Sequence, residues 1–289
     1  MKGFKAAFER IIEIIFLICA CASILSVAVI TVYMFVKGSP AIFEIGLVQF
    51  LTGTEWLPNS GKFGILPMLV ASIYGTFGAV VIGVVVGLFT AIFLAEIGPS
   101  WLVRLFRPAI ELLAGIPSVV YGFFGLVAVI PMIRNNIGGV GNSLMAVIFI
   151  LSIMILPTII SVSETSIRAV PESYKEGSLA LGATKIQTIF RVTLPAARSG
   201  IMAAIVLGIG RALGETMAVI LVAGNSVALP GSLLDSVRTL TANIALEMSY
   251  ASGLHREALF ATGVVLFVFI MVLNIVLNLI THKRVSFKK

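Results

Sequence analysis

Long apolar runs alternate with short polar segments along this chain. Six runs reach the length of about 20 residues that a helix needs to cross a membrane. The connecting stretches carry turn-forming sequence such as Pro58-Asn59-Ser60-Gly61. The pattern predicts an all-α integral membrane protein with a tail over 1–10 and a transmembrane domain over 11–289. The six transmembrane helices are predicted at 11–36, 68–95, 109–132, 142–163, 200–222 and 258–280.

Composition supports a membrane protein and offers no catalytic chemistry. Of the 289 residues, 59% are hydrophobic and 11% are charged, whereas soluble domains carry about 25% charged residues. Cys19 and Cys21 lie two apart in the first apolar run, and therefore on different helix faces. We interpret them as two small hydrophobic residues. With no CxxC pair and no zinc-type spacing of His and Cys, the sequence predicts no catalytic residue, no metal site and no enzyme activity.

The distribution of Lys and Arg predicts the orientation in the membrane. If the N-terminus lies inside, the inner segments hold 14 of the 20 basic residues and the outer segments hold five, with Arg211 inside a span. Cytoplasmic segments carry the excess of Lys and Arg. Both termini and the loop 164–199 are therefore predicted to be cytoplasmic. The net charge of +7 is explained by topology and does not require nucleic acid.

Small residues recur within the second and third runs. Spacings of three and four residues allow helix backbones to approach closely in lipid, and ordinary packing of the bundle is the favoured interpretation. Three prolines would kink or end helices, which would also suit a moving pore. The glycines are Gly75, Gly78, Gly83, Gly87, Gly115, Gly122 and Gly125, and the prolines are Pro117, Pro131 and Pro157.

The loop before the fifth run has the pattern of two short helices joined by a tight turn. Pro171 suits the first position of a helix, and Gly182 suits the left-handed conformation that ends one. Thr184-x-x-Gln187 has the form of a capping box that begins a second helix, which we expect to end at Leu194-Pro195.

Each loop helix has one face that these helices cannot bury alone. Tyr174, Gly177, Ser178 and Leu181 share a face of the first helix, and Ile186, Ile189, Phe190 and Thr193 share a face of the second. A groove on a partner protein would cover them. The alternative is that the loop folds back on its own bundle.

The loop resembles the EAA loop of importer-type ABC permeases. The matching residues are Glu176-Gly177-Ser178-x3-Gly182-x9-Val192-x-Leu194-Pro195, with Gly177 and Ser178 in place of two alanines and Val192 in place of isoleucine. The resemblance implies a MetI-like permease fold whose first loop helix docks on a cytoplasmic ATPase. It assigns ATPase coupling to Tyr174, Glu176, Gly177, Ser178, Gly182, Leu194 and Pro195.

Two charges lie near the middle of the fifth run. Arg211 and Glu215 are four residues apart and are predicted to share a helix face. A charge at this depth costs at least about 2.5 kcal/mol and indicates a functional role. The Arg211 guanidinium suits an oxyanion, and Glu215 would neutralise it between transport events. The alternative is a structural ion pair.

The surrounding sequence resembles the permease subunits of phosphate-specific ABC transporters. Gly210-Arg211-Ala-Leu-Gly214-Glu215-Thr-Met-Ala218 carries the resemblance. Together with two further stretches, Ile110-Glu111-Leu-Leu-Ala-Gly-Ile-Pro-Ser118-Val-Val-Tyr121-Gly122 and Ser252-Gly-Leu-His255, it indicates the PstC type rather than PstA. The resemblance implies a phosphate path at Arg211 and Glu215 in a bacterial or archaeal inner membrane. It also implies a PstA-type second permease, a PstB-type ATPase dimer that binds ATP and magnesium, and a PstS-type outer binding protein. The chain itself is expected to hold no cofactor.

Two alternatives to phosphate import remain. Another oxyanion, sulfate or molybdate, would suit Arg211, and an ATP-independent anion channel or secondary transporter would use Arg211 as a filter. Glu111 is interpreted as either an interfacial residue or part of the path. Glu96 and Glu164 lie at the same predicted edge and are interpreted as interfacial residues.

Overall fold

A computed structural model describes residues 2–283 of the chain. The basic positions Arg284, Lys288 and Lys289, which contribute to the predicted topology, lie outside the described residues. The side chains of Lys2, Lys5, His282 and Lys283 also lie outside them.

The described chain is almost entirely helical. A two-stranded antiparallel hairpin, β1 (Trp56–Leu57) and β2 (Lys62–Phe63), pairs Trp56 with Phe63. The helices are α1 (Lys2–Ile45), α2 (Leu47–Thr52), α3 (Leu66–Ile92), α4 (Ser100–Gly115), α5 (Ser118–Phe124), α6 (Ile130–Asn136), α7 (Leu144–Arg168), α8 (Glu172–Ala180), α9 (Lys185–Thr188), α10 (Leu194–Ala196), α11 (Arg198–Gly214), α12 (Met217–Val222), α13 (Leu240–Glu247) and α14 (Gly253–Lys283).

Wider π turns join or extend several of these helices. They cover Phe93–Ile97 after α3, Gly125–Val129 between α5 and α6, and Ile189–Thr193 between α9 and α10. Such turns often mark functional positions within helices.

Five helical segments are long and apolar enough to cross a membrane, by length and composition, within the described residues. They are Glu9–Ile45, Leu66–Ile97, Ser118–Asn136, Leu144–Arg168 and Gly253–Leu277. The count reaches six when Lys185–Ala196 and Arg198–Gly214, which meet at a 70° bend, are taken as one span. The all-α membrane architecture predicted from the sequence is therefore confirmed.

Two of the predicted spans are interrupted in the structure. The run 109–132 is interrupted at Ile116-Pro117, and the spanning segment begins at Ser118. Its first part belongs to α4, which carries Arg104, Arg107 and Glu111 and is too polar to cross lipid. The run 200–222 is interrupted after Gly214, where Glu215 takes an extended conformation. The residues 2–10, predicted as a tail, are already part of helix α1.

The glycines of α3 allow close packing against α7. The α-carbons of Gly75, Gly78, Gly83 and Gly87 face branched side chains of α7, and a β-carbon added at Gly78, Gly83 or Gly87 would lie 2.7–2.8 Å from one of them. The isoleucines at 148, 155 and 159 fill the space that the missing side chains leave. Bundle packing is therefore the structural role of this glycine stripe.

Helix α1 packs against the rest of the chain only through its second half. Tyr33 and Phe35 make edge contacts with Phe260 and Phe267 of α14. The backbone at Gly38 meets the backbone at Ala261, where an added β-carbon would lie 2.7 Å from a nitrogen atom. By contrast, residues 13–30 are exposed throughout.

A buried carboxylate organises the end of the bundle that carries the hairpin. Glu247 is 7% exposed. Its Oε2 accepts a hydrogen bond from Trp56 Nε1 at 2.8 Å, and its Oε1 accepts one from Arg238 Nη1 at 2.6 Å. His255 Nε2 also lies 2.8 Å from Oε2. Arg238 also donates to the carbonyl of Asn225 at 2.9 Å. One side chain thus joins the hairpin, α13, α14 and the loop after α12.

We predict that Glu247→Ala destabilises the isolated subunit by about 3–5 kcal/mol, because it leaves buried Arg238 without its carboxylate partner. Chemical unfolding in detergent measures this change. Glu55→Ala is the matched control, since Glu55 pairs with Lys62 at 2.6 Å while both side chains are about half exposed, and its loss should cost at most about 1 kcal/mol. Equal effects of the two substitutions would contradict the prediction.

Candidate functional site

The segment 171–196 folds as two short helices around a glycine turn. Pro171 is the N-cap of α8, one residue before the predicted position, and Glu172 lies in its first turn. A negative side chain there is favourable because the helix N-terminus carries partial positive charge. Gly182 has φ +83°, which confirms the left-handed residue predicted to end the first helix.

Thr184 begins the second helix through the predicted capping box. Its hydroxyl accepts from the Gln187 amide at 3.3 Å, and Gln187 Oε1 accepts from the Thr184 amide at 2.9 Å. The expected end at Leu194-Pro195 is wrong, because helical structure continues to Ala196 before the 70° bend into α11. Pro195 is tolerated because it lies in the first turn of α10.

One face of the 171–196 segment is buried in the bundle and the other is open. Ile189 and Thr193 are buried, whereas Ile186 and Phe190 are exposed. The predicted common face is therefore divided, because the π turn Ile189–Thr193 adds a residue to the helical turn and shifts the facing of its neighbours. The interpretation that the loop folds back on its own bundle is confirmed for the buried face, and the partner groove stays a prediction for the open face.

The open face presents apolar side chains around a shallow cavity. Leu181 is 91% exposed and Tyr174 is 57% exposed. Both line a cavity of about 380 Å³ together with Ser178, Gln187 and Arg191. An exposed leucine beside an exposed aromatic ring is typical of a surface that another protein covers.

The two departures from the alanine pattern have different structural consequences. Ser178 Oγ lies 2.9 Å from Thr188 Oγ1, so a hydrogen bond between two hydroxyls joins α8 to α9. Alanine at position 178 could not make this bond. Gly177 has open space around its α-carbon, with no atom within 4 Å of an added β-carbon. Glu176 is exposed.

Two carboxylates that the sequence interpretation assigned to the membrane edge form ion pairs inside the protein. Glu96 lies 2.6 Å from Lys175 Nζ of α8. Glu164 is 7% exposed and contacts both Arg107 of α4 and Arg168 of α7. In the sequence, the four-residue spacing of Glu164 and Arg168 was the signal that could have predicted the ion pair between these two residues.

Glu111 is exposed at the rim of a neighbouring cavity. This cavity has a volume of about 320 Å³ and is also lined by Arg107, Glu164 and Arg168. Glu111 thus lies beside the ion pairs of α4 and α7, close to the predicted cytoplasmic edge.

Arg211 lies in the last turn of α11, where a positive charge stabilises the helix C-terminus. Its Nη1 donates to Thr158 Oγ1 of α7 at 3.4 Å. The guanidinium is half-buried and forms no ion pair among residues 2–283. Its charge is therefore held in the bundle without a carboxylate of this chain.

Glu215 does not pair with Arg211, because the helix ends between them. Glu215 Oε1 accepts from the Ala218 amide at 3.0 Å and so caps the N-terminus of α12. Its carbonyl accepts from Thr241 Oγ1 at 2.8 Å. The prediction that Arg211 and Glu215 share one helix face is therefore wrong. The structure separates the two charges to the facing ends of α11 and α12.

The break after α11 lies next to the break before α5. Gly122 of α5 packs directly on the backbone of Ala218 of α12. Tyr121 donates its hydroxyl to the carbonyl of Leu113 in α4 at 2.7 Å, across the Ile116-Pro117 interruption. Two interrupted helices therefore meet in one region, and α11, which ends at one of these breaks, carries the half-buried Arg211 in its last turn.

Comparisons with known proteins agree on one family. Residues 83–285 match the model of the binding-protein-dependent transport system inner membrane component. A probable ABC transporter permease protein of Bacillus subtilis, YqgH, is 40% identical over 93% of this chain and 90% of its own. The phosphate transport system permease protein PstC of Xylella fastidiosa (strain 9a5c) is 36% identical over 87% of this chain and 84% of its own.

Solved structures share the fold. An inward-facing structure of the MetNI methionine ABC transporter matches with a TM-score of 0.63 and 20% identity, covering 79% of this chain and 99% of the matched chain. An amino acid ABC transporter matches with a TM-score of 0.56 and 21% identity, over 76% of this chain and 93% of its own. The importer-type permease fold is thereby confirmed.

We predict that Gly122→Ala lowers the stability of the isolated subunit by about 1–3 kcal/mol, the usual cost of overpacking. The added β-carbon would lie 2.8 Å from the Ala218 α-carbon, and backbone cannot rotate away as a side-chain end can. Gly210→Ala is the matched control, because no atom lies within 4 Å of its added β-carbon and alanine favours a helix. Thermal unfolding of both variants in detergent tests the contact, and an unchanged Gly122→Ala protein would contradict it.

Proposed function

Because this chain belongs to the family of binding-protein-dependent transport system inner membrane components, we propose that it is a permease subunit of an ATP-driven phosphate importer. The observation that carries the choice of phosphate is the 36% identity to a PstC protein over 87% of the chain. A PstC protein of Pasteurella multocida is 35% identical over 84% of the chain and supports the same choice.

The subunit would work with three partners that it does not itself contain. A second permease of the PstA type completes the path, a PstB-type ATPase dimer binds ATP and magnesium, and a PstS-type protein delivers phosphate. The open face of the 171–196 segment, with Tyr174 and Leu181 exposed, supports ATPase docking by its apolar character. The other residues proposed for ATPase coupling lie in the same segment: Glu176, Gly177, Ser178, Gly182, Leu194 and Pro195. The excess of Lys and Arg supports a cytoplasmic position for the segment and for both termini.

Arg211 is proposed to line the phosphate path. Its guanidinium has free donors that suit an oxyanion bidentately, and only a neutral hydroxyl is recorded beside it. Glu215 would shape the path by fixing the start of α12 rather than by neutralising Arg211.

We predict that Arg211→Gln lowers phosphate uptake by about tenfold or more, because a hydrogen bond to a charged group contributes about 1.5–3 kcal/mol. Uptake of labelled phosphate into proteoliposomes that contain the whole transporter measures it. Arg211→Lys is the matched variant that keeps the charge and should retain part of the activity. Normal uptake by Arg211→Gln would instead support a structural role at the end of α11.

Replacing 174–193 with a flexible glycine-serine linker should abolish ATP-dependent uptake and release the ATPase, because the docking face is removed. Co-purification of the ATPase and uptake with and without ATP measure the two effects. Competition by sulfate and molybdate belongs to the same assay. Uptake that persists without ATP would favour an anion channel, and transport of molybdate but not phosphate would reject phosphate as the substrate.

A further inference from the structure

The π turn that ends α3 leaves one backbone carbonyl without its helical partner. Within this turn the Gly98 amide donates to Phe93 O at 2.6 Å. The next donor in the same register would be residue 99, which is a proline and has no N–H. The carbonyl of Leu94 is therefore left free, and Leu94 itself is buried.

Arg168 at the end of α7 supplies the missing donor. Its Nη2 donates to Leu94 O at 2.5 Å, and its Nε donates to Glu164 Oε1 at 2.8 Å. Glu164 also binds Arg107 of α4 through the same oxygen. One buried carboxylate and two guanidiniums thus connect the end of α3, the middle of α4 and the end of α7.

The same π turn is held from the other side by α8. Lys175 Nζ lies 2.6 Å from Glu96 Oε1, and both side chains are largely buried. This ion pair joins α8 to the end of the first buried span, Leu66–Ile97.

We propose that Leu94, Glu96, Arg107, Glu164, Arg168 and Lys175 form an ionic joint that passes movement of α8 to α3 and α4. This inference rests on the proposed function, because it requires an ATPase that moves α8. When α8 is displaced, the Lys175–Glu96 pair draws the π turn with it. The Arg168 and Glu164 contacts carry that displacement to α4, which leads to the Ile116-Pro117 break before α5. Lys175 and Glu96 are positioning residues that do not contact the transported anion.

The test is a charge-reversal cycle in the whole transporter, reconstituted in proteoliposomes. Lys175→Glu and Glu96→Lys should each lower the phosphate transported per ATP hydrolysed about fivefold or more, the lower end of typical coupling between sites. The double variant should restore this ratio, because it reforms the pair in reverse. The ATPase should co-purify with every variant, since Tyr174 and Leu181 are unchanged. Lys175→Arg, which keeps the charge, should retain coupling.

Lys185→Glu is the matched control, because Lys185 is exposed at the start of α9 and forms no ion pair among the described residues. A similar loss of coupling in Lys185→Glu, or a double variant no better than the single ones, would overturn the joint. An unchanged ratio in Lys175→Glu would overturn it as well. Failure of the proposed function has a different signature, since the unmodified transporter would then show no ATP-dependent phosphate uptake.

Discussion

Backbone amides and carbonyls inside a membrane have no water to bind, so each interruption of a helix must be satisfied by other protein groups. This constraint accounts for most of the long-range polar contacts in the bundle. Arg168 donates a hydrogen bond to the carbonyl of Leu94. Tyr121 donates one to the carbonyl of Leu113, and Thr241 donates one to the carbonyl of Glu215. Each helix break therefore comes with a side chain from another element that fixes its geometry.

The same constraint explains why charges and helix breaks occur together. A charge is costly in lipid unless a partner is present, and a helix end offers partial charge of the opposite sign. Arg211 lies at the C-terminal end of α11, and Glu215 lies at the N-terminal end of α12. The two residues thus stabilise two helix ends without pairing with each other.

The local features of the helices could be predicted from the sequence, whereas the interruptions within the spans could not. Apolar length predicted the spans, and residue chemistry predicted the left-handed Gly182 and the Thr184 capping box, because each depends on neighbours within four residues. The interruptions at Ile116-Pro117 and Glu215 lie within continuous apolar runs, and their partners come from distant elements. The π turns likewise carry no simple composition signal. Pro117, which was predicted to kink or end a helix, and the charges of α4, Arg104, Arg107 and Glu111, were the clues that the third span begins later.

In the described part of the chain, helix α1 packs against α14 near one end only. Between Glu13 and Lys37 it has 23 uncharged residues, a length of about 35 Å against a hydrocarbon core of about 30 Å. The contacts with α14 begin at Tyr33 and continue beyond Lys37, at one margin of that core. Over residues 13–30, every side chain of the helix is exposed in the described part of the chain. Most of the apolar surface of α1 is therefore open to lipid or to another protein.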